Sequence, residues 1–511
     1  MSFQKKAGRH VPKKLCAVIA VVIFCVGDVF ADTSEAPNPL DEEQEILIIE
    51  EDAPASAAAE SDEIRMIDEE ETLVIEGEDA DVDDTGQILS EASSPERTDA
   101  AGWSVLPEIS VSESLVLKVE DLWAEYGRFV KSDSAADNQG YLHGLVSAAW
   151  QPEGSWEARL SGRVDSYHQN GGRSANDTEL DYDESFLRYR GDSYRLTAGA
   201  QKVIWGRIDE VPPTDRMSVP DFSRGVLDYL PDRRRAAPVM RFEGFKWDNK
   251  LDLVWLPTFR RAELPDQDSV WYPVNRDKGE IIGLETNNAQ SAAIKAAPLK
   301  NDAPNTQGGF GVRLNGAVDV LDYAVTVQRV RQATPYFRFN QSGVLEAEYP
   351  RSWVYGGDMA VDAWGATWRF EAAWISDTPV TRRSKGYTTT ESINWAAGAE
   401  LYPGDGDDRI SIQLIGTNLV DAPDNMIDRE SIYTLNGEAE ILFSHHRWRL
   451  KNRFFLGLDK RDVYINPEVA FIAWEPHELY LAGHYFEGDS GTVGDFYEDD
   501  SLVTVGWRAR F

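Results

Sequence analysis

Residues 207–241 carry the arginines Arg207, Arg216, Arg224, Arg233, Arg234, Arg235 and Arg241 among the carboxylates Asp209, Glu210, Asp215, Asp221, Asp228 and Asp232. Opposed guanidinium and carboxylate groups in a narrow aqueous passage set up a transverse field that orients a charged solute. Pro212, Pro213, Pro220, Pro231 and Pro238 lower the entropy of the unfolded segment and stiffen it. The segment therefore reads as a loop folded into a lumen as a constriction, with all seven arginines and with Asp209, Glu210 and Asp215 as the candidate residues. The competing reading leaves these charges outside, bridging lipopolysaccharide and neighbouring loops.

A second set of charges alternates with apolar residues. Arg159, Arg163, Arg195, Lys451, Arg453, Arg508 and Arg510 would line a path, offset by Glu157, Glu438, Glu440 and Glu468. Taken singly, each of them suits an ion pair that only stabilises the wall better than a selective role. Catalytic chemistry is poorly served. Of the 7 histidines, His445 and His446 fall in a tight turn and His143, His168 and His484 stand isolated in expected strands. No Gly-x-Ser-x-Gly, His-Glu-x-x-His or phosphate-loop pattern accompanies them. Residues 404–408 (GDGDD) lack the spacing and distal Glu of a calcium loop and read as a solvated turn. No enzyme, metal or cofactor is expected.

Such charges need rigid elements to aim them, and the apolar pattern has the period of a strand. Trp156, Ala158, Leu160, Gly162 and Val164 share one face while Glu157, Arg159, Ser161, Arg163 and Asp165 share the other. Leu435, Gly437, Ala439, Ile441 and Phe443 likewise oppose Asn436, Glu438 and Glu440, and Leu450, Phe454, Leu456 and Leu458 oppose Lys451, Arg453 and Asp459. A face charged along a whole strand suits a water-filled lumen better than the outside of a sandwich. Tight connections near residues 151–155, 191–193, 248–250, 319–322, 362–366, 403–408, 444–447 and 475–478 alternate with others that are usually longer. The second class lies near 130–140, 167–178, 207–237, 260–308, 331–352, 378–392, 417–431, 459–462 and 487–500. Eight turns and nine loops imply an all-β transmembrane antiparallel barrel of eighteen strands with both termini on the periplasmic side. Leu115, Val119, Leu122, Trp123 and Tyr126 also fit a helical stripe, so sixteen strands preceded by a helix stays open at this point.

Trp150 and Trp156 flank one predicted turn and Trp364 and Trp368 another, with Trp247, Trp448 and Trp474 beside three more, as in an aromatic girdle. Val503, Val505, Trp507, Ala509 and Phe511 alternate to a terminal aromatic. This resembles the signal that outer-membrane proteins present to the barrel assembly machinery, with Trp507 and Phe511 as its marks and Ala509 where an aromatic often stands. Residues 199–207 (GAQKVIWGR), the Asp- and Pro-rich loop to Pro238, residues 256–261 (LPTFRR) and residues 484–511 are similar to an uncharacterised group of proteobacterial porin-like outer-membrane proteins. The resemblance covers most of residues 140–511 and implies a barrel with a channel or export role; it supplies no substrate.

Composition bounds the rest. The 511 residues carry a formal net charge of −37, which disfavours nucleic acid as a partner. A mean hydropathy of −0.43 excludes a polytopic helical membrane protein. Lys5, Lys6, Arg9, Lys13 and Lys14 precede an apolar run over residues 15–26, and Val29 and Ala31 fit a cleavage site, so residues 1–31 read as a secretory signal peptide. The 2 cysteines, Cys16 and Cys25, lie within it, which leaves the mature chain without a thiol. Residues 32–99 hold 25 acidic and 2 basic residues, and residues 32–102 read as a disordered periplasmic arm. Within it EILIIEEDA at 45–53 returns as TLVIEGEDA at 72–80. All 16 tryptophans follow, so the barrel is assigned to residues 103–511. The expected function is diffusion of small or medium solutes across the outer membrane of a Gram-negative bacterium. The alternative is an export or interaction component that docks a periplasmic or inner-membrane partner through the arm. Outer-membrane lipid and lipopolysaccharide are expected partners, and a homo-oligomer is compatible.

Overall fold

A computed structural model describes residues 108–112, 114–383, 386–404 and 406–511. The expected signal peptide, and the acidic arm with its repeat, lie outside the described residues.

Period-two sequence becomes a closed antiparallel barrel of eighteen strands. In chain order they are β1 Leu115–Phe129, β2 Asn138–Trp150, β3 Trp156–Asn170, β4 (in two pieces, Ala175–Tyr182 and Ser185–Arg190), β5 Tyr194–Gln201, β6 Ala237–Lys246, β7 Asn249–Leu256, β8 Gly309–Val318 and β9 Leu321–Arg331. The second half comprises β10 Arg351–Ala363, β11 Ala366–Thr381, β12 Tyr387–Leu401, β13 Arg409–Val420, β14 Ser431–Phe443, β15 Trp448–Gly457, β16 Asp462–Trp474, β17 His477–Gly488 and β18 Leu502–Arg510. Each strand pairs with its neighbours in sequence, and the ring closes where β18 pairs with β1 from Asp121↔Arg510 to Phe129↔Leu502. A short strand, Glu108–Ser112, folds back on the start of β1.

The helical alternative for residues 115–129 is overturned. The ladder between β1 and β2 shifts register between Val119 and Asp121. The bulge inserts one residue, so apolar spacings of two are interrupted by a three and imitate a helical stripe. All eight tight turns fall where the sequence placed them, within a residue or two. Several loops came out shorter than expected, while the connections after β5 and β7 came out a few residues longer. The connection expected over residues 167–178 is only 171–174, because Ser166 meets Thr178 at 2.8 Å and His168 meets Asn176 at 2.8 Å across continuing strands. Polar outward pairs extend β3 and β4 beyond the apolar band.

Alternation then sorts the side chains. Leu142, Leu160 and Leu180 are 56, 70 and 82% exposed on the outer face, with Val312, Val325, Met359, Leu481 and Val505 also exposed. Leaving so many large apolar side chains outside suits contact with lipid and not with water. Inward positions of the same strands hold buried Glu125, Arg163, Asp165, Arg313, Asp358, Glu371, Arg453 and Glu468. One proline within a strand is compensated locally: Pro467 in β16 has no N–H to give, and Asn466 Nδ2 donates to Gly483 O, at 2.9 Å.

Candidate functional site

The connection between β5 and β6 spans residues 202–236. It starts at the break in β4, where Lys202 Nζ bonds Asp183 at 2.9 Å and Lys202 N donates to Glu184 at 3.1 Å. Val203 and Trp205 then turn inward onto Val239, Val254, Leu256, Val330, Val354 and Ala373, an apolar cluster on the inner wall. Trp205 Nε1 donates to Asp252 at 3.2 Å.

At Gly206 the chain adopts φ +113°, and a Cβ there would stand 2.7 Å from a Glu371 oxygen. Only glycine permits this approach. Glu371, on β11, accepts from Arg207 N at 2.8 Å, Ile208 N at 3.3 Å, Thr214 N at 2.7 Å and Thr214 Oγ1 at 2.8 Å. One carboxylate thus fixes the bend over residues 207–214. Asp209 reaches Arg369 at 2.8 Å, Arg409 at 3.0 Å, Ser411 at 2.9 Å and Gln413 at 2.8 Å. Arg207 bonds Asp358 at 2.8 Å.

The remainder of the segment is tied to the other side of the ring. Asp221 pairs with Arg163 at 3.1 Å and with Arg235 at 2.7 Å, and Arg235 also meets Asp181 at 2.8 Å and Glu179 at 2.9 Å. Arg224 bonds Glu125 and Asp228, and its guanidinium lies 4.5 Å from the Trp123 ring and 4.4 Å from that of Tyr141. Arg453 donates to Asp228 O at 2.8 Å and Leu227 O at 2.7 Å and lies 3.5 Å from Glu210. In a ring of eighteen strands, β3 and β12 are diametrically opposite. A segment bound to β3 and β4 on one side and to β11 and β13 on the other therefore spans the interior.

The ten loop candidates behave differently from one another. Arg234 pairs with Asp215 at 2.6 Å and Arg233 with Glu210 at 2.6 Å, so both pairs close the loop on itself. Arg224, Arg234 and Arg235 are 2, 3 and 1% exposed. Arg241 is not in the loop: it belongs to β6 and bonds Asp252 on β7 at 2.8 Å. Half-exposed Arg207, Asp209 and Arg216 remain at the loop surface.

Of the lining candidates, Arg159 bonds Glu120 at 3.1 Å, and Arg195 lies 3.5 Å from Glu243. Lys451 bridges Glu438 at 3.7 Å and Glu440 at 3.1 Å, and Arg409 reaches Glu438 at 3.0 Å. Arg163 and Arg453 are buried as anchors of the loop. Sequence reasoning missed Glu125, Asp358, Arg369, Glu371 and Arg409, which hold the loop from the wall. Parity contains the signal: Arg369 and Glu371 alternate with Trp368, Phe370 and Ala372.

A second connection also enters. Residues 257–308 include the helix α1, Asn288–Ala296, whose Asn287 cap and Gln290 form a reciprocal capping box. Earlier in that connection Trp271 packs among Phe129, Tyr167, Leu227, Phe486, Phe496 and Tyr497 and donates to Gln139 at 2.8 Å. This aromatic cluster joins the connections after β5, β7 and β17 to the inner wall. At the carboxyl terminus, His477 stacks on Trp507 at 5.8 Å and meets Phe511 edge-on at 6.2 Å.

No family model and no curated protein matches the chain. Among solved structures it is similar to OccAB1 of Acinetobacter baumannii, with 8% identity over 77% of this chain and 96% of that one, at a TM-score of 0.47. OmpF of Salmonella typhi, solved in complex with daunomycin, has 10% identity over 79% of this chain and 100% of that one, at a TM-score of 0.40. The outer-membrane channel DcaP of Acinetobacter baumannii has 9% identity over 78% and 99% of the two chains, also at 0.40.

Proposed function

We propose that the barrel sits in the outer membrane of a Gram-negative bacterium and passes small or medium solutes by diffusion, through a lumen narrowed by residues 202–236. The observation that carries this reading is the loop itself, fastened from Glu371 and Arg409 on one side to Arg163 and Asp181 on the other. A barrel whose only task was to anchor an arm would need no charged bridge across its interior. Arg224, Arg234 and Arg235 are buried in their ion pairs, whereas Arg207, Asp209, Arg369 and Arg409, although paired, keep 26, 24, 18 and 28% of their side chains exposed to meet a solute.

Planar-bilayer recording of the folded mature protein tests this. Discrete conductance steps are expected, and replacing Arg207 and Arg409 by Gln shifts the reversal potential in a salt gradient toward cations. Absence of steps from protein shown to be folded and inserted would overturn the proposal.

A further inference from the structure

Most arginines in the interior have a carboxylate partner; on the outer face, among the described residues, Arg331 and Arg351 form no ion pair and Arg329 reaches a carboxylate only at 3.9 Å. Val330 belongs to the inner apolar cluster and Ser352 is buried, so alternation turns Arg329, Arg331 and Arg351 outward. They share that face with Val325, Val327, Tyr355 and Trp353, all exposed. Arg331 ends β9 and Arg351 begins β10, at the end of the barrel that carries the long loops, just beyond the apolar band. The two are direct cross-strand partners. Like charges placed opposite each other in an antiparallel pair destabilise it.

Nothing in the described residues relieves them fully. Arg331 Nε and Arg351 Nε are both buried without a hydrogen-bond partner. Arg331 Nη1 donates to Tyr349 O, and its guanidinium stands 5.8 Å from the Phe259 ring. Arg329 lies 5.5 Å from the Trp353 ring and only 3.9 Å from Asp377, a loose ion pair. The nearby Glu348 is held by Arg338, with its Oε1 2.7 Å from Arg338 Nε. An anion with several acceptor oxygens, seated against the outward guanidinium groups, removes the repulsion, and guanidinium forks match phosphate in geometry.

We infer that Arg329, Arg331 and Arg351 bind the phosphate of an anionic lipid of the outer leaflet. The lipid source follows from position. The site opens on the lipid-facing side, above Val325, Val327, Trp353 and Tyr355, where the acyl chains of a phosphate-bearing amphiphile lie along the wall. The inference rests on the outer-membrane placement proposed above and not on conduction, so its test avoids current measurement.

The experiment is native mass spectrometry of the folded full-length mature protein in detergent, titrated separately with diphosphoryl lipid A, dephosphorylated lipid A and inorganic phosphate. Diphosphoryl lipid A is expected to remain bound, with Arg331→Gln plus Arg351→Gln weakening it roughly tenfold or more. Lys246→Gln, which removes an outward cation 4.4 Å from the Trp247 ring at the opposite rim, should leave binding unchanged. Heat-modifiable gel mobility verifies that each variant is folded. Equal retention by the double variant, or equal binding of dephosphorylated lipid A, would overturn the site. Inorganic phosphate that binds as tightly as the lipid would overturn the lipid source.

Discussion

Replacing Glu371 by Gln isolates the contribution of one carboxylate to the loop. In the native structure its two oxygens accept four bonds, three of them from the backbone N–H groups of Arg207, Ile208 and Thr214. Gln is the same size, so no cavity forms. Whichever way its amide turns, one oxygen becomes an NH₂ that confronts backbone donors instead of accepting from them. Hydrogen bonds to a charged group contribute about 1.5–3 kcal/mol each, and a buried donor left unpaired costs about 1–3 kcal/mol. Losing at least one such bond and stranding its donor therefore destabilises the bend by about 3 kcal/mol, which is roughly 150-fold in its opening equilibrium. Hydrogen exchange at Arg207, Ile208 and Thr214 should accelerate by that order. Trypsin cleavage after Arg207 or Arg216 should rise with it, while strand amides of β15 to β17 stay protected. Unchanged exchange and unchanged cleavage in a folded variant would refute the claim that Glu371 holds the loop.

Two further outcomes follow from the same geometry. Burial, reinforced by Glu179, pushes the Glu263 carboxyl up to about 6, and burial pushes Asp500 up to about 6 against the opposing hydrogen bond of Ser134 and the charge of Lys278. For a carboxyl raised above its unfolded value, the folded state binds more protons between about pH 4 and 6, so loop stability contributed by these groups is present below that window and is lost as pH rises through about 6. Limited proteolysis of residues 257–308 and 489–501 should accordingly slow between pH 7 and pH 5, and faster cleavage at pH 5 would contradict the sign. Deleting Phe511 removes the terminal ring that meets His477; the expected result is a loss of folded barrel from the outer membrane, read as the disappearance of heat-modifiable protein, and normal assembly would dismiss the carboxyl-terminal signal.

Much of the fold was legible because alternation and turn chemistry are local. The strand count, the eight turns and the inward placement of Arg163, Glu438, Lys451 and Arg453 all follow from parity. What parity could not give is where a strand ends. Polarity marks a loop only if strands stop at the membrane surface, and Ser166, His168, Asn176 and Thr178 continue the ladder into water. The same ambiguity put Arg241 in the loop, although it pairs with Val254 in register. The loop's own charges were visible, yet their wall partners were not singled out, since Glu371 and Arg409 are far in sequence and only closure of the ring brings them near.

That closure changes what the loop's charge means. Opposed arginines and carboxylates exert a field on a solute only while they face water. When Arg235 lies among Asp221, Asp181 and Glu179, or Arg224 between Glu125 and Asp228, carboxylates at contact distance outnumber each guanidinium, so no positive field is left to act on a solute. The buried arginines are therefore tension members, and removing one leaves an unpaired carboxylate inside the barrel, which destabilises more than the pair itself contributed. On the proposed channel reading, selectivity falls to the partly exposed set at Asp209, Arg369 and Arg409, where two guanidinium groups share one loop carboxylate and Glu400. A substitution of Arg369 or Arg409 leaves Asp209 and Glu400 the other guanidinium, so it should alter ion preference at less cost to folding than one at Arg224 or Arg235.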